Sequence, residues 1–102
     1  MRVIAKSTLV KFYQELPKGQ RAVAEAAITE WYTTTSNAGW KNFADVKATF
    51  NSADYLSGGK IIFDIGGNKY RIVALIGFRT QRAFILFVGT HADYDRIDVA
   101  KL

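Results

Sequence analysis

Three side chains could together break a phosphodiester bond: Arg71, His91 and Tyr94. RNA cleavage without a metal requires the 2′-OH to lose a proton and attack the adjacent phosphorus. Negative charge then grows on the phosphoryl oxygens, and the 5′-oxygen leaves with a proton. A guanidinium such as that of Arg71 can stabilise the growing charge. An imidazole, with an unperturbed pKa of about 6.5, can exchange a proton near neutrality. Tyr94, or the carboxylate of Asp64, could orient a partner or help transfer a proton. Five further bases, Lys47, Lys60, Lys69, Arg79 and Arg82, are candidates for binding the RNA backbone. Each residue also has a plain structural reading. A histidine after a strand is often a surface or capping residue, Arg71 could simply pair with Asp64, and Lys41 and Lys47 could merely keep a loop soluble.

Composition narrows the classes of chemistry. There is no cysteine and one histidine, which excludes thiolate nucleophiles, disulfides and a histidine-rich metal centre. Asp93, Asp95 and Asp98 lack the glycine-bearing loop of a calcium site. The expectation is therefore no metal and no cofactor. The 14 Lys and Arg exceed the 9 Asp and Glu, giving a net charge of +5. A small basic domain is drawn to polyanions through phosphate contacts and counterion release. The 102 residues suit one domain spanning 1–102, and 49% apolar content is enough for a core. No run approaches the ~20 apolar residues of a membrane span, and the opening MRVIAKSTLV lacks the apolar core of a signal peptide. A cytoplasmic protein is expected.

The elements that must position these groups follow from periodicity. Residues 2–5 read as a short strand. Ser7 can cap a helix whose apolar face is Leu9, Phe12, Tyr13 and Leu16. Pro17 and Gly19 break it. A second helix from about residue 20 to 33 presents Val23, Ala24, Ala27, Ile28 and Trp31, and the Thr33–Asn37 run should end it. The two helices should form an antiparallel hairpin. Residues 38–59 should be irregular and pinned by Trp40, Phe43 and Phe50, with a possible short strand near Tyr55.

From Lys60 onward KIIFDI, KYRIVALIGF and RAFILFVGT are strand-like. Gly66-Gly67 and Thr80-Gln81 are short enough for hairpins, giving a three-stranded antiparallel meander with the N-terminal strand as a fourth member. Two-residue turns would set Asp64 opposite Lys69, Ile62 opposite Arg71, Arg79 opposite Arg82 and Thr90 opposite Arg71. Lys60, Ile62, Asp64, Lys69, Arg71, Val73 and Leu75 would share one face. Ile61, Phe63, Ile65, Tyr70, Ile72, Ala74 and Ile76 would share the other, which is the better core face. Lys69, Arg71, Thr90 and His91 would then meet at one end of the sheet. A loop of odd length would flip a strand and break that convergence. The fold class is α+β, with a helical layer on one sheet face.

The C-terminal half also carries a resemblance. FNSADYLSGGKIIFDIGGNKYRIVALI followed by FVGTHADYDRID resembles the HigB family of RelE-like toxins. The match rests on the F-x-S-A-D segment, the I-F-D-I-G-G-N-K-Y-R hairpin and the terminal G-T-H-A-x-Y-D, and the N-terminal part fits as well. The resemblance implies a RelE-like fold, two helices on one side of a curved antiparallel sheet, and cleavage of mRNA on the translating ribosome. It transfers the hairpin arginine to Arg71 and the terminal motif to His91 and Tyr94. Lys60 and Lys69 are looser transfers, because basic residues vary in position among such toxins. It further implies a HigA-type helix-turn-helix antitoxin, through which the toxin would reach operator DNA. A non-catalytic RNA-binding or corepressor module is the alternative reading.

Overall fold

The computed structural model describes all residues, Met1–Leu102. The chain runs β1 (Arg2–Ile4), α1 (Lys6–Gln14), α2 (Lys18–Ser36), α3 (Phe43–Thr49), β2 (Asp54–Tyr55), β3 (Lys60–Ile65), β4 (Tyr70–Gly77), β5 (Arg82–Thr90) and α4 (His91–Asp95), and closes with a 3-10 turn at Val99–Lys101. The strands form one sheet in the order β1-β5-β4-β3-β2. No helix is long and apolar enough to cross a membrane.

The α+β class holds, and so do the three long strands. The sheet is mixed rather than wholly antiparallel, because β1 pairs with β5 in parallel. Between β1 and β5 the chain passes through three helices and three strands, since parallel neighbours need a crossover that a hairpin cannot make. The short strand at Tyr55 is present as β2, antiparallel to β3.

Four expectations about the N-terminal half are corrected. Ser7 does not cap α1; the cap position is Ala5, without a side-chain bond. α2 does not stop at Thr33 but continues to Ser36, because Thr35 is fully buried and packing outweighs low helix propensity. Val23 is 47% exposed, so the inward face of α2 is Ala24, Ile28, Trp31 and Thr35. The segment 38–59 is not simply irregular. α3 forms there because the Asn42 side chain accepts from the Asp45 N–H and Val46 is buried.

All seven residues of the expected core face (Ile61, Phe63, Ile65, Tyr70, Ile72, Ala74, Ile76) join one buried cluster with Leu9, Ala24, Ile28, Trp31 and Val46. Phe63 is its hub: its ring lies 5.3 Å from Trp31, 5.4 Å from Phe50 and 6.2 Å from Trp40. Full burial of each such side chain contributes roughly 1.5–3 kcal/mol.

Both hairpin turns are longer than two residues. Ile65 pairs with Tyr70 around a four-residue turn in which Gly66, Gly67 and Asn68 all have positive φ. A side chain at Gly66 would be strained by the positive φ and crowded, since a Cβ would lie 3.0 Å from the Tyr70 ring and 3.2 Å from Ala27. Asp64 therefore faces Arg71 rather than Lys69, and Ile62 faces Val73. The shift is by two residues, so every side chain keeps its expected face. At the second turn Gly77, not Arg79, faces Arg82. A bulge opposite Val73/Ala74 then inserts Leu86, so Gly89 rather than Thr90 faces Arg71. That single insertion turns Phe87 onto the Arg71 face.

Candidate active site on the sheet face away from the core

The residues after β5 fold back across the face that the helices leave uncovered. Thr90 starts this return with a capping box: its hydroxyl accepts from the Asp93 N–H, and the Asp93 carboxylate accepts from the Thr90 N–H, each at 3.1 Å. Gly89 gives the helix room, because a Cβ there would meet the Phe87 ring at 2.6 Å and Asp93 at 3.1 Å. The His91 N–H donates to the Lys69 carbonyl, tying α4 to the β3–β4 turn. At the far end of the segment, the Lys60 ammonium donates to the Val99 carbonyl. The sheet face is thus less open than the sequence suggests: Ile62 and Val73 are buried although they point away from the core cluster.

This fold-back brings Tyr94 onto Arg71. The guanidinium carbon lies 4.7 Å from the phenol ring centroid, and the Phe87 ring lies 6.2 Å away on the other strand. The Arg71 Nε is 2.8 Å from Asp64 Oδ1. The N–H is not aligned with that oxygen, and neither atom has another hydrogen-bond partner. The contact is therefore Coulombic rather than a directed hydrogen bond. The two Nη groups make no hydrogen bond inside the protein. The arrangement holds Arg71 by its Nε edge and against the Tyr94 ring, and leaves its Nη groups without a protein partner.

Burial pushes the Tyr94 phenol above its usual pKa of 10.0. The Arg71 charge opposes that rise, and the carboxylates of Asp64, Asp95 and Asp54 add to it. At neutral pH the hydroxyl is a proton donor, not an oxyanion. His91 stands three residues before Tyr94 on α4, a spacing that sets the two side chains next to each other on a helix surface. Its Nδ1 lies 3.2 Å from the Asp95 carboxylate. A carboxylate at Nδ1 favours the tautomer with hydrogen there, leaving Nε2 as a proton acceptor.

The other expected residues divide. Lys69 is at the correct end of the sheet but borders a cleft with Gly19, Gln20 and Val23, on the helical side. Lys60 shares the Arg71 face, four residues along β3 from Asp64, with its ammonium engaged by Val99. The Lys47 ammonium is bound to the Ala53 carbonyl at 2.8 Å and anchors the start of β2. Arg79 and Arg82 lie at the opposite end of β4 and β5 and are not brought to Arg71. Sequence reasoning missed two groups. Asp95 was findable, since it follows His91 at helical i,i+4 spacing. Phe87 was not, because its face depends on the bulge. The three C-terminal aspartates do separate local jobs: Asp93 in the capping box, Asp95 beside His91, and Asp98 accepting from the Ala100 N–H.

Comparison with known proteins identifies the family. The model of the family described as "HigB_toxin, RelE-like toxic component of a toxin-antitoxin system" matches residues 24–97. The chain is 37% identical over 65 residues to the mRNA interferase toxin HigB of Escherichia coli (strain K12) and to the mRNA interferase HigB of Shigella flexneri. Each alignment covers 61% of this chain and 62% of the relative, so the chain spans a little under two thirds of the length of these curated relatives. The family match takes in β3, β4, β5 and α4, and with them Arg71, His91 and Tyr94. The chain therefore belongs to the HigB toxin family, the RelE-like toxic components of toxin–antitoxin systems.

Proposed function

We propose that this protein is an endoribonuclease that cuts mRNA by attack of a 2′-OH on the adjacent phosphorus, without a metal. The observation that carries the reading is the Arg71–Tyr94 contact, which presents a fixed cation and a protonated phenol at one spot on the sheet. Arg71, through its free Nη edge, binds the scissile phosphate and stabilises the charge that grows on it. His91, aligned by Asp95, takes the 2′-OH proton at Nε2. Tyr94 gives a proton to the departing 5′-oxygen. The products are a 2′,3′-cyclic phosphate and a free 5′-hydroxyl, with one proton taken up and one delivered.

The similarity to mRNA interferases supports the choice of mRNA as substrate. The positive net charge suits binding to an RNA-rich surface such as the ribosome, where we place the cleavage event. The same charge suits an acidic surface on a HigA-type helix-turn-helix antitoxin, which would carry the toxin to operator DNA. We place this activity in the cytoplasm and assign residues 1–102 to one domain.

The test uses purified protein, mRNA and translating ribosomes, followed by analysis of the new ends. Cyclic phosphates on the upstream fragments, lost in Arg71→Ala, are expected. Fragments bearing 5′-phosphates would contradict 2′-OH attack. On any free RNA that is cut, cleavage should persist with a chelator.

A further inference from the structure

The sheet face that carries Arg71 extends to a second cluster of positive charge. Arg2 on β1 sits beside Arg82 on β5, and Arg82 faces Gly77 of β4. Gly77 is six residues from Arg71 on the same strand, so the two positions share a face and lie about 20 Å apart. Both Arg2 and Arg82 are exposed, as is Arg79 in the adjoining turn. None of the three guanidinium groups makes an ion pair; the two ion pairs of the protein are Arg71–Asp64 and His91–Asp95. Like charges on neighbouring strand positions repel, and here no carboxylate offsets them. Between the two ends the same face carries Phe84, opposite Leu75, and Phe87, opposite Val73; both are partly exposed. The C-terminal segment covers the β3 side of this face, leaving β5 and β1 as its open margin.

We propose that Arg2 and Arg82 form a second phosphate-binding position for single-stranded RNA, with the strand laid along β5 from Arg71 past Phe87 and Phe84. Unpaired charge at the far end would grip the backbone, and the two rings would stack on bases. Stacking needs bases that are not already paired, which selects a single strand over a duplex. The proposal deepens the ribonuclease reading by giving its substrate a path, and it rests on that reading for the identity of the ligand.

A fluorescent 2′-O-methyl RNA dodecamer, which cannot be cut by 2′-OH attack, is the probe. Each phosphate contact to a single strand contributes about 0.7 to the slope of log affinity against log salt. Substituting both residues, Arg2→Gln with Arg82→Gln, should lower the slope by about 1.4. The same charge change on the helical side, Lys11→Gln with Lys18→Gln, should lower it much less. A slope unchanged in the first pair, an equal fall in both pairs, or no salt-sensitive binding by the parent protein would each overturn the proposal. Thermal unfolding of the first pair should be unchanged or raised, since a repulsion is removed. If the parent never cuts mRNA yet the slopes differ as expected, the ribonuclease reading fails and the phosphate position stands.

Discussion

The guanidinium carbon of Arg71 lies over the phenol ring of Tyr94, 4.7 Å from its centroid, although 22 residues, the whole of β5 among them, intervene in the chain. The contact exists because a capping box at Thr90 turns the chain and Gly89 leaves space beneath it. It fixes a cation and a weak acid side by side. The proposed chemistry passes through this pair.

The two partners should be separable by mutation. Tyr94→Phe keeps the ring on Arg71 and removes the proton, so cleavage should fall about a hundredfold while thermal stability stays near that of the parent. Arg71→Ala should cost at least as much rate, about 3 kcal/mol, and also leaves Asp64 without its counter-charge. Single-turnover rates and thermal melts check both. A Tyr94→Phe variant of full activity would remove the phenol from the chemistry.

The pH dependence of stability should carry the mark of Tyr94. Its pKa is raised on folding, so the protonated form is favoured in the native state. The associated stability is complete below the unfolded value of 10.0 and is lost as pH rises through the higher folded value. Denaturant unfolding should therefore show a loss above about pH 10 that is smaller in Tyr94→Phe. Ultraviolet titration of the parent minus the variant should place the missing phenol above 10.0.

In the proposed mechanism Asp95 acts through His91 and should behave as a positioning residue. Its side chain is 59% exposed, so the pair adds little to stability. Asp95→Asn should leave the melting temperature unchanged, lower kcat more than it raises KM, and alter the pH profile of cleavage. An unaltered profile would reduce the pair to a surface contact.

Thr90 links local structure to the site. Thr90→Val removes the hydroxyl that caps α4, at a cost of about 1 kcal/mol. The activity loss should exceed what that small destabilisation predicts, because α4 carries both His91 and Tyr94. Phe63→Ala is the contrasting case: it empties the centre of the aromatic cluster and should cost about 3–5 kcal/mol of stability.

Much of this architecture was legible from residues alone, and for a physical reason. On β3 the charged Lys60 and Asp64, and on β4 Arg71, stand at positions of one face, so the opposite set could be listed as the core face before any turn was known. Each turn is two residues longer than the minimal hairpin, and an even difference leaves side chains on the same face. β5 was the opposite case. Its run AFILFV is apolar at every position, so nothing in it marks Leu86 as the inserted residue. The face of Phe87 was therefore unreadable, as was the exchange of Thr90 for Gly89 opposite Arg71. In α2 the low propensity of Thr33, Thr34 and Thr35 pointed to an end that burial of Thr35 overrode. At the candidate site, residue types and the family resemblance single out Arg71, His91 and Tyr94, and the structure sets Tyr94 over Arg71. Type alone could not show that Lys47 and Lys60 are tied to carbonyls, because those bonds depend on where α3 and the C-terminal turn lie.

The most direct measurement is made in cells. The chain is induced in bacteria without an antitoxin, and new 5′ ends are mapped across mRNA for the parent, Arg71→Ala and Tyr94→Phe. New ends inside coding regions for the parent, sharply reduced in both variants at equal protein level, are the predicted result. The same ends in all three proteins, or none in any, would contradict a ribonuclease built on Arg71 and Tyr94.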